Sequence, residues 1–169
     1  MTESDVEPEE GQNPLLTALI EFTGCIGGAF DDVCSYALIP GDSYIPFAPD
    51  EEDEDACEDE DCSQVWVRVT SAGPTPVAVE GWDGQSCGLT TDVQLEVGIM
   101  RCMEVVKKGE APSATAMLAY AMQAMEDMKT IMCAALGCDV WIRLDIGQWT
   151  PLGPMGGEYG GSWTMTAQV

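Results

Sequence analysis

The sequence contains no histidine among its 169 residues and only six lysines and arginines. Histidine is the commonest general base and the commonest ligand of transition metals, so its absence excludes Ser–His and Cys–His catalysis and HExxH metal sites. Of the six bases, only Lys107 and Lys108 are adjacent, whereas binding to a phosphate backbone requires clustered positive charge. The chain is therefore not expected to read nucleic acid.

Long apolar runs are missing as well. No stretch reaches the ~18 uninterrupted apolar residues that a membrane span needs. The first ten residues hold five acids and do not form the basic start of a signal peptide. These features predict a protein made in a cytoplasm without a membrane partner, and its length suits one domain with a substantial core.

Acidic residues are abundant and unevenly placed. Thirty acids against six bases give a formal net charge of −24. Five acids lie in residues 1–10 and ten in residues 50–61; without them the net charge is −9. We expect residues 1–12 to be a disordered acidic arm, and residues 40–63 to be an acidic loop inserted in a single domain of residues 13–169. The acids of this loop are Asp50, Glu51, Glu52, Asp53, Glu54, Asp55, Glu58, Asp59, Glu60 and Asp61.

The acidic loop is expected to be a solvated, repulsive segment. Calcium binding is disfavoured because the run lacks the alternating ligand spacing and the turn glycine of a calcium loop. Docking of a basic partner is the alternative that remains.

The eight cysteines favour free thiols, because nothing marks the chain as secreted. Cys102 lies in a strand pattern and Cys133 on an apolar helix face, where buried free thiols are common. Disulfides and a metal site are the less favoured alternatives. If a disulfide forms, Cys57 and Cys62 are the expected pair, because both lie in the acidic loop.

Two helices are expected. Asn13 and Pro14 are typical of a helix start, and apolar residues then recur at helical spacing as far as Phe30. Ser113 caps a second helix, which ends at Leu136 with Gly137 as its stop signal. The expected buried stripe of the second helix consists of Met117, Ala121, Ala124, Met128, Ile131, Met132 and Ala135.

Alternating residues predict strands at 64–71, at 89–106, at 139–147 and at 162–168, with a further short strand at 77–79. Each long strand has one apolar and one more polar face, which is typical of a sheet covered by helices on one side. The expected fold is therefore α+β, with a mixed or antiparallel sheet of about four strands and two helices packed on one face.

The segment 148–161 joins the last two strands and is dense in glycine, proline and aromatic residues. Bulky aromatic residues in or beside loops often mark subunit contacts. The alternative is that both tryptophans cover the edge of the core. The candidate interface residues are Trp149, Pro151, Leu152, Pro154, Tyr159 and Trp163.

No pattern of catalytic residues is present in the sequence. The carboxylates lie in flexible runs or on expected solvent faces, and a catalytic pair needs rigid placement in two different environments. The glycines of GGEYGG at 156–161 lack the GK[ST] and the strand-to-helix context of a phosphate loop. We expect no enzyme activity, no cofactor and no metal.

Four segments carry a resemblance to a known family: QVWVRV at 64–69, CGLTTDVQLEVGIMRCM at 87–103, MEDMKTIMCAALGC at 125–138 and GQWTPLGPMGGEYGGSWTMT at 147–166. Together they resemble the tail terminator proteins of long-tailed phages that infect actinobacteria. The acidic arm and the acidic loop are not part of the family pattern.

The resemblance implies a structural virion protein at the head-to-tail joint, assembled in the cytoplasm of the bacterial host. Such proteins form a ring, usually of six subunits, that ends the tail tube and docks it to the head connector. The implied partners are other copies of the chain, the tail tube protein and a head-completion or connector protein, with double-stranded DNA as passing cargo. The alternatives are another neck or head-closure protein of the same joint, or an acidic binding module for a basic partner.

Overall fold

A computed structural model describes residues 13–40, 63–74, 91–103, 112–155 and 157–169. These residues form two helices and five strands. In chain order the elements are α1 (Pro14–Gly27), β1 (Ser35–Leu38), β2 (Gln64–Pro74), β3 (Thr91–Cys102), α2 (Ala114–Gly137), β4 (Arg143–Met155) and β5 (Glu158–Gln168).

The strands form one mixed sheet in the order β1-β2-β3-β5-β4. β1 runs parallel to β2, whereas the β2–β3, β3–β5 and β5–β4 pairs are antiparallel. The expected α+β class is confirmed, with five strands in the described residues instead of about four. β1 and β4 form the two edges of this sheet.

The main core lies between the two helices and one face of the sheet. The expected apolar face of β3 is confirmed, because Val93, Leu95, Val97 and Ile99 are all buried. They pack with apolar side chains of both helices. α1 lies over β1 and β2, while α2 lies mainly over β5 and β4. Both helices therefore cover the same face, as expected.

Both expected helix starts are confirmed by their caps. The Asn13 side chain accepts a hydrogen bond of 3.0 Å from the backbone N–H of Leu15, and Ser113 Oγ accepts one of 3.1 Å from Ala116. Each bond satisfies a donor that the first helical turn leaves free. α2 ends at Gly137, which was the expected stop signal.

The expected buried stripe of α2 is correct only in the C-terminal half of the helix. Ile131 and Ala135 are buried, but Met117 and Ala121 are exposed. The third buried residue of the helix is Asp127, which the stripe omitted. The N-terminal half of α2 is therefore apolar, but its side chains are not buried in the core.

Two strand assignments need correction. β1 was not expected; it has four residues and pairs in parallel with a strand distant in sequence, so local alternation gives little signal for it. The segment 148–161 is not a long connection, because β4 continues to Met155 and β5 begins at Glu158. Trp149 pairs with Trp163 and Leu152 with Gly160, so the two strands form one extended hairpin.

The glycines and prolines of this hairpin, which suggested a loop, have specific places in the sheet. A Cβ on Gly161 would overlap the Trp149 ring, and a Cβ on Gly160 would overlap the Ile99 carbonyl group. Pro151 lies in β4, and an edge strand tolerates a residue without an N–H donor. In this hairpin, glycine therefore allows close packing against neighbouring residues and does not mark a loop.

The second face of the sheet is also partly buried, which the simple alternation of β2 did not indicate. Trp66 is fully buried and packs with Ile39 and Met100, and Leu152 lies at the side of this cluster. The Trp66 ring occupies the space beside Gly98, where a Cβ would lie inside the indole. This cluster requires a glycine at position 98.

We expect the Gly98→Ala variant to lower the free energy of unfolding by about 1–3 kcal/mol, because a buried indole has to move to admit the methyl group. Gly73→Ala in β2 is the matched control, since nothing lies within 4 Å of a Cβ at that position. Urea unfolding followed by tryptophan fluorescence measures both variants. Equal stability of the two would show that Trp66 does not depend on Gly98.

The cysteine prediction is wrong. Cys25, near the end of α1, forms a disulfide with Cys138, directly after α2, with a Cα–Cα distance of 6.2 Å. Cys34 and Cys102 are also disulfide-bonded. Cys133 is a free thiol, as expected, but it is exposed and not buried. Cys25 and Cys138 are 113 residues apart, so sequence spacing could not reveal that they meet.

Several expectations lie outside the described residues: the acidic arm 1–12, the acids at 50–61, the strand at 77–79 and Cys57 with Cys62. No helix in the described part of the chain is long and apolar enough to cross a membrane. Within the same part, no group of three or more cysteine, aspartate or glutamate side chains is placed to hold a metal ion.

Candidate subunit interface

Trp149 and Trp163 face each other across the hairpin. Their ring centroids are 5.8 Å apart in an edge-to-face arrangement, and both rings pack against the main core. The Trp163 indole N–H donates a 2.9 Å hydrogen bond to the carbonyl oxygen of Met128 in α2. The two tryptophans thus cover the edge of the core and join the hairpin to α2.

The other candidate interface residues are divided between the two faces of the sheet. Pro151 is exposed and pairs with Gly161, while Leu152 lies on the opposite face beside the Trp66 cluster. Tyr159 is half-buried and lies opposite Arg101 of β3. Pro154 lies in β4 close to the hairpin turn. Pro151 and Leu152 therefore lie on opposite faces of the sheet and not in one patch.

A buried ionic cluster, which sequence reasoning missed, is centred on Arg101. Arg101 Nε and Nη2 each donate a 2.8 Å hydrogen bond to the carboxylate of Asp127 in α2. Nη1 donates to Asp32 at 2.8 Å and to Ser63 at 3.3 Å, and Nη2 also donates to Asp32 at 3.2 Å. The guanidinium therefore ties α2 to β3, to the α1–β1 connection and to the start of β2.

The centre of the cluster is buried, since Arg101 is 7% exposed and Asp127 is 1% exposed. Burial opposes the charged form of Arg101, but its hydrogen bonds to Asp127 and Asp32 prevail and raise the pKa above its ordinary value. Gln123 adds a 3.1 Å hydrogen bond to Asp127. All three nitrogens of the guanidinium are hydrogen-bonded to Asp127, Asp32 or Ser63. The cluster therefore acts as a structural clamp that holds these elements together.

Two features of the sequence are related to this clamp. Arg101 continues the alternation of Val97 and Ile99 on the core face of β3, and Asp127 interrupts the apolar core side of α2. A base and an acid at two core positions indicate a buried pair. Asp32 and Ser63 lie in connections, so only the tertiary structure could place them.

Tyr159 borders the clamp. Its ring lies against Tyr120 of α2, with centroids 4.9 Å apart. Burial raises the pKa of the Tyr159 hydroxyl; the positive charge of Arg101 acts against this shift, and Asp127 acts with it. Tyr159 therefore contributes to the joint between α2 and β5, in which Trp163 also takes part.

The outer side of α2 exposes several large apolar side chains to solvent. Leu118, Met122, Met125 and Leu136 are each 60–65% exposed. No charged residue occurs between positions 114 and 125, although the whole chain carries a net charge of −24. Exposed apolar surface of this kind typically marks a site of protein contact.

The free edge of β4 is a second surface available to another chain. Among the strands that the structure describes, β4 pairs only with β5. Its two charged residues, Arg143 and Asp145, form an exposed ion pair of 2.8 Å with each other. The edge is therefore nearly neutral, and within the described residues no strand pairs with its outer side, so it can accept an added strand.

The open face of the sheet carries a shallow depression of about 310 Å³. Threonine and glutamine side chains and Asp145 contribute to its lining. These groups do not form a nucleophile–base pair.

Comparison with known proteins does not assign the chain to a family. No family model matches the sequence, and no curated protein matches it.

Proposed function

We propose that this chain is a structural subunit of the phage head-to-tail joint, and that it acts as a tail terminator. Copies of the chain form a ring, expected to have six members, which ends the tail tube and docks it to the head connector. Double-stranded DNA passes through the ring. The resemblance of residues 64–166 to this family supports the proposal, and so does the α+β fold of the described residues.

The observation that carries the proposal is the exposed, nearly neutral surface of a highly acidic chain. The β4 edge and the outer side of α2 are both available to other chains. A ring of identical subunits uses head-to-tail contacts, in which two different surfaces of neighbouring copies meet. We assign the β4 edge and its hairpin to these contacts, because the edge is nearly neutral and can accept an added strand.

The ion pairs of the three arginines are consistent with DNA that passes through the ring without being bound. Arg68 pairs with Glu96, Arg143 with Asp145, and Arg101 with Asp127 and Asp32. Each of these arginines is therefore neutralised within its own chain. A channel wall that offers the phosphates no free cluster of positive charge favours sliding over binding.

Electron microscopy of the purified full-length chain tests the proposal, alone and mixed with the tail tube protein. We expect closed rings with a central channel, and we expect the rings to cap the ends of tubes. Antibody labelling of virions should place the protein between head and tail. A chain that neither forms rings nor binds tube ends contradicts the proposal, and labelling at the head side of the joint alone would favour a head-closure protein.

A further inference from the structure

Four exposed apolar side chains of α2 form one row along the helix together with the half-buried Met132 and the charged Lys129. The row consists of Leu118, Met122, Met125, Lys129, Met132 and Leu136. Successive members are spaced by four, three, four, three and four residues. Such spacing averages 3.6 residues, the repeat of an α-helix, and keeps the side chains on one line of the helix, where a second helix can pack against them.

Packing against the core of the chain does not bury this row. The core side of α2 is marked by Asp127, Ile131 and Ala135, which are buried, whereas the row lies largely on the solvent side. α2 thus has two apolar sides, and its own sheet covers only one of them. A helix that is apolar on nearly all sides is normally buried on all sides. The second side therefore requires another partner.

We propose that α2 pairs antiparallel with α2 of a second copy of this chain, in a contact with two-fold symmetry. The helix has 24 residues and is about 36 Å long, so the full row can be matched. The midpoint of the row is residue 127. An antiparallel copy therefore places Leu118 opposite Leu136, Met122 opposite Met132, and Met125 opposite Lys129.

The charges near the midpoint favour a second copy as the occupant. Lys129 is the only charged member of the row and makes no ion pair with any residue that the structure describes. Glu126 flanks the row, while Asp127 is turned inward to Arg101. The antiparallel pairing gathers two glutamates and two lysines around the two-fold axis, and these charges balance.

Other arrangements are less favourable on electrostatic grounds. A parallel pair in register would stack Lys129 on Lys129, which adds like-charge repulsion within the seam. A single polar residue in an otherwise apolar seam also fixes the register of paired helices, and Lys129 can serve this purpose.

The two-fold contact goes beyond the proposed ring. It is isologous, since the same surface of both copies takes part, whereas neighbours in a ring meet through two different surfaces. It leaves the β4 edge and its hairpin free. The two contacts can therefore be disrupted separately.

Sedimentation equilibrium of the full-length chain over a range of concentrations tests the pairing. We expect the unmodified chain to form dimers, and the Lys129→Glu variant to dissociate with a dissociation constant roughly 100-fold higher, because four acids then surround the axis. Glu126→Lys gathers four bases there and should weaken the dimer similarly. The double variant Glu126→Lys/Lys129→Glu restores two charges of each sign and should return close to the original constant.

Cross-linking tests the orientation. The antiparallel pairing brings Cys133 of one copy near Ala119 of the other, on the same flank of the seam. With oxidised glutathione as oxidant, the Ala119→Cys variant should give a covalent dimer. The same variant with Cys133→Ala should give much less, and equal yields from the two would contradict the antiparallel register.

Ile142→Glu is the control for added charge, because Ile142 is 71% exposed and lies beyond the C-terminal end of α2. It should dimerise like the unmodified chain, and circular dichroism should show that all variants are folded. A chain that stays monomeric at all concentrations, or a Lys129→Glu variant that dimerises normally, overturns the pairing. If the helix pairing is overturned but rings still form, the proposed tail-terminator function is unaffected. If the chain forms dimers but no rings, the helix pairing is supported and the proposed function is contradicted.

Discussion

We expect the Arg101→Met variant to lower the free energy of unfolding by about 3–5 kcal/mol, because it leaves a buried carboxylate without its counter-ion. Asp127 is 1% exposed, and Arg101 donates two hydrogen bonds of 2.8 Å to it. Methionine fills most of the space of arginine, so the loss reflects charge and hydrogen bonding more than a cavity. Urea unfolding monitored by circular dichroism measures the effect.

The control for Arg101→Met is Arg143→Met, which removes the same type of side chain from an exposed ion pair. The side chains of Arg143 and Asp145 are 70% and 55% exposed. Exposed pairs contribute only about 0–1 kcal/mol, so this variant should be nearly as stable as the original chain. If both variants lost similar stability, the Arg101 cluster would not be a clamp.

A second test replaces both charged residues of the buried pair by apolar residues. Because a buried ion pair can be replaced by apolar groups at little cost, Arg101→Met/Asp127→Leu should be more stable than Arg101→Met alone. Asp32 remains as a carboxylate near the cluster, but its side chain is 60% exposed and can turn to water. A double variant less stable than the single one would contradict this explanation.

Removal of the Cys25–Cys138 disulfide should have a comparably large effect. The bond closes a loop with a sequence separation of 113 residues, and it joins the C-terminal ends of the two helices. Cross-links over about 100 residues are expected to contribute on the order of 4–5 kcal/mol by restricting the unfolded chain. The Cys25→Ala/Cys138→Ala variant should lose about this amount in urea unfolding.

Cys133→Ala is the matched control for the disulfide variant, because Cys133 is a free, exposed thiol. Its stability should stay within about 0.5 kcal/mol of the original chain. Intact mass after alkylation under non-reducing conditions should show one more alkylated thiol in a Cys25→Ala variant than in the unmodified chain, because Cys138 is then released. If Cys25 and Cys138 were alkylated in the unmodified, unreduced chain, the bond and its predicted contribution would both be wrong.

Periodicity in the sequence predicted the parts of the fold whose signal is local. The caps at Asn13 and Ser113 and the core face of β3 follow from residue types within a few positions of each other. Such patterns are set by the backbone geometry of one element. The same reasoning failed for β1, whose four residues form a strand only because β2 lies beside them.

The segment 148–161 shows where composition misleads about secondary structure. Glycine and proline around Trp149 and Trp163 predict a loop in which the two aromatic side chains mark a contact. In the structure both rings pack on the core, and Trp163 is also bonded to Met128. The assignment of this segment to a loop failed because glycine serves close packing in a sheet as well as turns.

The sequence by itself determined the α+β class, the helix starts, the alternating core face and the strong negative charge, since each depends on residue types within a single element or on simple counts. Only the tertiary structure decided which side of α2 is buried, which cysteines pair, and that Arg101 meets Asp127 and Asp32. These outcomes depend on distances between residues far apart in the chain. Local patterns do not contain those distances, because the distances are set only when the helices pack on the sheet.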